Sequence, residues 1–259
     1  MKKWYIQKPL RAVMAVVVVL GVLLVGPATV LVADDARLAQ SWRSARSDSA
    51  GIAPLPAQEP EAVIQVYAAR TFGWRGAFAV HTWIATKRPN ADQYQTHHVI
   101  GWRSGNKVIS RWEDPDRYWY GSMPDLILDL RGDRAAELID AVEAAVASYP
   151  YPNSYTAWPG PNSNTFIAWI GREVPQLQLE MPPHAVGKDY LGGFRLVDWT
   201  PSGTGAQVSL MGVLGMTLAL DEGAELNLLG LTIGLDPQDM NLKLPGIGRV
   251  GPMPDPRRE

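Results

Sequence analysis

An uninterrupted apolar stretch at the N-terminus constrains this chain more than any other feature. No charged residue occurs in residues 12–33. A helix of that length matches the hydrocarbon core of a bilayer, which is ~30 Å thick. The flanks differ in charge: Lys2, Lys3, Lys8 and Arg11 precede the stretch, and Asp34 and Asp35 follow it. The positive-inside rule therefore predicts one span in the inner (cytoplasmic) membrane, with the rest of the chain facing the periplasm.

A cleaved signal peptide is the alternative interpretation of the same stretch. Leu31, Val32 and Ala33 fit the small-residue pattern of a cleavage site. The apolar stretch is longer than the ~7 to 15 residues of a typical signal peptide, which favours the retained anchor. Under both interpretations the domain that follows is exported.

The charge balance and the absence of cysteine exclude several functions. All 26 acidic residues follow the apolar stretch, whereas four of the 24 basic residues precede it. The exported part is therefore mildly acidic, and nucleic acid is not an expected partner, because phosphate binding needs a basic face. The chain has no cysteine, so neither a disulfide nor a thiolate nucleophile is available.

The composition after the stretch indicates three parts. Residues 34–61 mix Ser, Ala, Arg, Asp and Pro, and we expect a short helical start followed by an extended linker. Residues 62–200 are expected to form one α+β domain. Residues 201–259 are expected to form a β-hairpin extension and a C-terminal tail.

Hydrophobic periodicity predicts strands, then helices, then strands again. The first strands are predicted at residues 62–69, 78–87, 93–103 and 107–112. Helices are predicted at residues 134–148, capped by Asp133, and at residues 165–170, after cap residues 161–164. This order indicates an α+β fold with an antiparallel sheet and flanking helices.

The C-terminal part is predicted to be one long hairpin. Its two strands would cover residues 207–220 and 224–235, joined at residues 221–223. One face of this hairpin would carry Val208, Leu210, Leu214, Met216 and Leu218. Residues 241–251 are expected to wrap around the surface.

Histidines and one serine are the candidates for chemistry. His97 and His98 are adjacent on a predicted strand and must point to opposite faces, so at most one of them can share a site with His81. His184 is expected on a loop. Ser163 falls in the first turn of a predicted helix, where free N–H groups and the helix dipole favour negative charge. Ordinary helix capping explains the same residue types without catalysis.

Two segments resemble known families. His81-Thr82-Trp83 and Asn162-Ser163-Asn164-Thr165-Phe166 resemble the H-T-x and N-C-N-x-F motifs of permuted papain-like hydrolases, which include the PPPDE and NlpC/P60-like enzymes and, more distantly, the lecithin retinol acyltransferases. The longer run at residues 149–166 resembles an uncharacterised bacterial family, domain of unknown function 3750. The second resemblance covers most of residues 62–251 and implies no activity.

The papain-like resemblance implies a fold and a set of roles. The domain would be a permuted papain-like α+β domain, with His81 as general base, Ser163 in the cysteine position, and His97 or His98 orienting His81. Serine in place of cysteine departs from the family, because a thiolate is accessible near neutral pH and an alkoxide is not. The implied activity is a serine-dependent hydrolase or acyltransferase that acts on an amide or ester of the envelope, without a cofactor.

Two other hypotheses remain open at this stage. The first is an inactive papain-like domain that binds an envelope peptide, glycan, lipid or protein, using a dense aromatic set: Trp102, Trp112, Tyr118, Trp119, Tyr120, Tyr151, Tyr155 and Trp158. The second is a zinc site formed by His81, one of His97 and His98, and Glu113 or Asp116. No spaced ligand motif supports zinc, so no metal is expected.

Overall fold

The apolar stretch lies within a long N-terminal helix, α1 (Lys3–Ala33). The computed structural model describes residues 3–33 and 41–252, with side chains from residue 11 onward. Arg11–Ala33 is long and apolar enough to cross a membrane, by length and composition, and is the candidate single span. Asp34, Asp35 and the predicted helical start of the linker up to residue 40 lie outside the described residues.

The second half of α1 packs against the globular part of the chain. Leu23 is buried, and a side chain added at Gly26 would meet the Pro245 carbonyl oxygen and Ile247 Cγ1. A side chain added at Gly246 would likewise meet the backbone of Pro27. The helix also contacts the short 3₁₀ turn Gly73–Ala77. The helix therefore does not hang freely from the linker, and its C-terminal turns are in contact with the domain.

The first sheet is antiparallel and has five strands. They are β1 (Val63–Arg70), β2 (Val80–Lys87), β3 (Gln95–Val99), β4 (Val108–Trp112) and β5 (Asp125–Arg131). Their order is β4-β3-β2-β1-β5. Four of them overlap the predicted strands. Strand β5 was not predicted, because its pattern runs directly into the following helix, which begins at Gly132 with a φ of +69°.

Two helices cover one face of this sheet. They are α2 (Gly132–Ala147) and α3 (Ser163–Glu173). Their apolar stripes pack onto the alternate residues Ile64, Val66 and Ile84 of β1 and β2, which form the main core. The predicted cap at Asp133 was wrong: Arg131 occupies the N-cap position, and Asp133 lies in the first turn. A carboxylate there still interacts favourably with the helix dipole.

The C-terminal part forms a second antiparallel sheet of seven strands. They are β6 (Val197–Trp199), β7 (Gly205–Leu210), β8 (Leu214–Ala219), β9 (Gly223–Leu228), β10 (Leu231–Asp236), β11 (Asn241–Leu244) and β12 (Gly248–Val250). Each strand pairs with its neighbours in sequence. The chain is therefore α+β with antiparallel sheets, an N-terminal apolar helix and C-terminal strands.

The predicted C-terminal hairpin covers residues that do form strands, but two of the turns between them were not predicted. Each of its predicted strands is itself a hairpin, and residues 241–251 add two more strands instead of wrapping the surface. The extra turns are at Met211-Gly212 and Leu229-Gly230, where both residues have positive φ. Tight hairpin turns of this kind usually carry Asn or Asp before Gly. Met and Leu in that position hid the turns from sequence analysis.

Buried polar side chains join the second sheet to residues 180–189. Lys243 is fully buried and donates hydrogen bonds to Glu180 at 2.6 Å and Glu225 at 2.9 Å. Lys188 forms a second ion pair with Glu225. Although burial opposes ionisation, these two ammonium groups outweigh it and lower the pKa of Glu225. The buried face of the second sheet is thus held by charge pairs, in contrast to the apolar core beneath the first sheet.

Candidate functional site

Strand β2 directs the candidate site residues to two different faces of the first sheet. His81 pairs with Ala69, which belongs to a small cluster on the face away from the helices. The next residue, Thr82, donates hydrogen bonds to Asn164 Oδ1 at 2.9 Å and to the Ser163 carbonyl at 3.4 Å. Because side chains alternate along a strand, His81 and α3 lie on opposite sides of the sheet.

His81 lies in a buried stack with a histidine and tryptophans. Its ring is parallel to Trp119, with centroids 3.7 Å apart, and also stacks on Trp83 at 5.8 Å. His81 Nε2 lies 3.3 Å from His98 Nδ1, so one imidazole donates and the other accepts. Strand alternation brings His98, and not its neighbour His97, to His81.

Burial keeps these imidazoles neutral. It lowers the pKa of His98 to about 4, and it lowers the pKa of His81 well below its usual value, with a further contribution from His98. His97 lies on the helix face, where its Nδ1 is 2.8 Å from Ser110 Oγ. Burial lowers its pKa to about 4 as well. All three rings are uncharged at neutral pH, so none can form a permanent ion pair.

The residues around Ser163 build the start of α3. Asn162 is the N-cap: its Oδ1 accepts hydrogen bonds from the Asn164 and Thr165 amides at 2.9 and 3.1 Å. Asn164 Nδ2 in turn donates to the Val80 carbonyl at 2.9 Å and the Val186 carbonyl at 2.8 Å. Ser163 is buried, with 3% of its surface exposed. The structure brings His81 to His98 but does not bring Ser163 to His81.

The acidic residues of the zinc hypothesis have other partners. Asp116 is buried and accepts hydrogen bonds from Ser49 Oγ and from the amides of Ile52 and Ala53 at 2.5 to 3.1 Å. It fastens the described end of the linker to the domain. Glu113 pairs with Arg117 at 2.7 Å and accepts from Thr96 at 2.8 Å. His184 lies apart from these residues, with its ring beside Gly248.

A pocket of about 960 Å³ opens beside His98. His98, Trp83 and Trp119 form its floor, and the indoles of Trp42 and Trp102 stand at its rim with 58% and 68% of their surface exposed. Its aromatic residues are Trp42, Trp83, Trp102, Tyr118, Trp119 and Tyr120. Four of these, Trp102, Tyr118, Trp119 and Tyr120, belong to the aromatic set that was predicted to form a binding surface. Tyr151 and Tyr155 pack against the main core instead.

The pocket has more basic than acidic side chains. Its charged residues are Arg43, Arg103, Arg111, Arg117, Glu113 and Asp114. The role of the arginines was not predicted, although a local signal exists: each of the four directly adjoins an aromatic residue in the sequence. Residues 42–47 form one wall, held by the Arg46 guanidinium 3.9 Å above the Tyr118 ring. The linker thus contributes to the pocket.

The comparison with known proteins identifies a family without an activity. Residues 61–190, half of the chain, match the model described as protein of unknown function (DUF3750). This span contains the first sheet, both helices that cover it, and all the histidines of the site. No curated protein and no solved structure shows significant similarity to the chain. The chain belongs to the DUF3750 family of proteins of unknown function.

Proposed function

We propose that this chain is a membrane-anchored envelope protein whose periplasmic domain binds an anionic glycan in the aromatic pocket. The observation that carries the proposal is the pair of exposed indoles, Trp42 and Trp102, beside a surplus of arginines. Both indoles leave a large apolar surface in water at the mouth of the same pocket. A ligand with flat apolar faces and carboxylates would cover the indoles and pair with the guanidinium groups.

A sugar ring provides the flat apolar face, because its C–H groups stack on an indole while its hydroxyls reach polar groups at the rim. Ser47, Tyr118 and Tyr120 carry hydroxyls at the same pocket. A carboxylate on the glycan would pair with the guanidinium groups, since Arg103 and Arg111 lie at the same pocket. Glycans of this kind are available in the envelope, where the predicted topology places the domain.

Binding is favoured over serine hydrolysis on geometric grounds. A general base must come within hydrogen-bond reach of the hydroxyl that it activates, and His81 faces away from α3. The kinship with papain-like domains is retained as a proposal about ancestry. Its support is the packing of α3 against β2 through Thr82 and Asn164, the two segments that carry the resemblance.

The test is a titration of the full-length protein in detergent with glycan fragments, and tryptophan fluorescence measures binding. Soluble carboxylated peptidoglycan fragments are expected to bind, and Trp102→Ala or Arg111→Ala is expected to weaken binding at least tenfold. Trp74→Ala is the matched control, because Trp74 is also exposed (58%) but lies outside the pocket. Equal effects at Trp74 and Trp102, or no binding of any glycan fragment, would contradict the proposal. Binding of the stem peptide alone would assign a peptide ligand instead.

A further inference from the structure

The second sheet has an inverted distribution of side chains. Its buried face carries polar residues such as Gln207, Glu225 and Lys243, and its exposed face is apolar. One row runs across all seven strands, pair by pair, on the exposed face: Val250, Leu242, Leu235, Ala224, Leu218, Ala206 and Trp199. Antiparallel sheets with one solvated face normally show the opposite arrangement.

Two further rows complete this surface. The first contains Ile233, Leu226, Met216, Val208 and Val197, and the second contains Leu228, Leu214 and Leu210. We call the residues of the three rows the apolar face. None of their side chains is charged or polar. A contiguous apolar surface across seven strands exceeds what a protein exposes to water without a partner.

Helix α1 indicates which partner covers the apolar face. The turn that joins β11 to β12 is the point where the helix docks, through Gly26 and Pro27 against Gly246 and Ile247. Ile247 is partly exposed (37%), and the two strands that this turn joins carry the exposed Leu242 and Val250 of the apolar face. The apolar surface of the candidate span therefore continues onto the edge of the apolar face.

The position of this contact along α1 gives its depth. Roughly 10 Å of helix separates Gly26 from Ala33, at ~1.5 Å per residue. If the helix crosses the membrane with its C-terminal end outside, the edge of the second sheet reaches the acyl chains, roughly 10 Å below their boundary with the headgroups. At the opposite edge of the sheet, Trp199 is exposed and Phe194 is fully exposed. Aromatic residues are enriched at this boundary.

We infer that the apolar face lies flat on the bilayer that α1 crosses, with its side chains inserted in the leaflet on the domain's side. The occupant is lipid, and the interaction is hydrophobic insertion, because the face has no basic residues to attract anionic headgroups. This position accounts for the inverted distribution of side chains in the sheet: its polar face packs on the domain, and its apolar face packs on acyl chains. The inference takes α1 as a retained span and is independent of the ligand in the aromatic pocket.

The test uses the absence of native cysteine. Full-length protein with Leu218→Cys or Leu226→Cys is labelled with an environment-sensitive NBD fluorophore and reconstituted in phosphatidylethanolamine–phosphatidylglycerol vesicles that contain nitroxide-labelled lipid. Both positions are exposed, so the substitutions leave the core intact. We expect blue-shifted emission and several-fold quenching by the nitroxide lipid. Glu137→Cys, on the exposed side of α2, is the control and should respond to neither.

The outcomes separate the possible occupants. Quenching of both face positions by aqueous iodide, without quenching by nitroxide lipid, would overturn the inference. Protection from both quenchers, together with cross-linking between two Leu218→Cys chains, would also overturn it and assign the face to a second copy. A charge placed next to the probe supplies an internal check: Met216→Glu should reduce nitroxide quenching at Leu218→Cys, because a carboxylate resists insertion in acyl chains.

Discussion

Thr82 Oγ1 donates a 2.9 Å hydrogen bond to Asn164 Oδ1 and thereby ties β2 to the first turn of α3. This bond fixes which face of β2 meets the helix. Thr82 faces α3, so its neighbour His81 must face the other way, where it stacks on Trp119 of the aromatic pocket's floor. One contact between two neutral side chains therefore fixes His81 and its partner His98 on the side of the sheet away from Ser163, although both segments carry the papain-like resemblance.

This arrangement makes opposite predictions for two neighbouring residues of one motif. Ser163→Ala is expected to change the free energy of unfolding by less than about 1 kcal/mol and to leave glycan binding intact. Asn164→Ala should cost about 3 kcal/mol, because it leaves the buried Val80 and Val186 carbonyls and Thr82 without their partners. Chemical denaturation measures both. Labelling by an electrophilic serine probe that both Ser163→Ala and His81→Ala abolish would refute this assignment.

The elements with regular periodicity were predictable, and the missing ones have identifiable causes. Four of the five strands of the first sheet and both helices were found because their apolar residues recur at the expected spacing. The turns of the second sheet were hidden, since Met211 and Leu229 have positive φ without being Asn, Asp or Gly. Local propensity does not reveal a turn that the neighbouring strands impose.

The site was predicted in part. Alternation along β3 correctly separated His97 from His98, because it depends only on strand geometry. The pairing of His81 with Ser163 depended on which face of β2 meets α3. That choice rests on contacts between residues more than 80 positions apart, such as Thr82 with Asn164. The local sequence around either residue does not predict such a contact.

The buried histidines predict a loss of stability in mild acid. His97 and His98 have a pKa of about 4 in the folded state and ~6.5 when unfolded. The unfolded chain therefore binds more protons as the pH falls below ~6.5, and the free energy of unfolding decreases until about pH 4. Between pH 7 and pH 5 we expect a loss of about 2 kcal/mol per histidine. Denaturation of wild type and His97→Gln at both pH values checks this, and the variant should lose less. An equal loss in both proteins would contradict it.

The buried ion pairs beneath the second sheet predict that replacement of a single lysine greatly lowers the free energy of unfolding. Lys243→Met leaves Glu180 and Glu225 buried with fewer counter-charges and is expected to lower the free energy of unfolding by about 3–5 kcal/mol. Arg88→Met is the matched control: Arg88 also pairs with two carboxylates, Asp140 and Glu143, but on the surface. Its loss should cost about 1 kcal/mol or less. Similar costs for the two substitutions would show that burial is not the deciding factor.

The charge asymmetry around α1 predicts the topology. An export-dependent reporter fused after Glu259 is expected to be active, and a cytoplasm-dependent reporter at the same position is expected to be inactive. The reverse result would refute the proposed orientation. The mass of the mature protein distinguishes a retained anchor, which begins at the native N-terminus, from a signal peptide, which would be removed after Ala33.

The docking of α1 predicts different effects for two glycines of the same helix. At Gly26 a side chain would collide with the Pro245 carbonyl and Ile247, whereas at Gly21 nothing lies within 4 Å. Gly26→Leu should therefore push the helix away from the turn at residues 245–247, and Gly21→Leu should not, although both substitutions add the same apolar side chain.

Hydrogen exchange of the Gly246, Ile247 and Gly248 amides in the reconstituted protein reports the contact. We expect faster exchange in Gly26→Leu and wild-type exchange in Gly21→Leu. The same slow exchange in all three proteins would mean that α1 does not dock there, and it would remove the link between the span and the apolar face. If the link holds, Gly26→Leu should also reduce nitroxide quenching at Leu218→Cys, because the turn then no longer holds the sheet edge against the membrane.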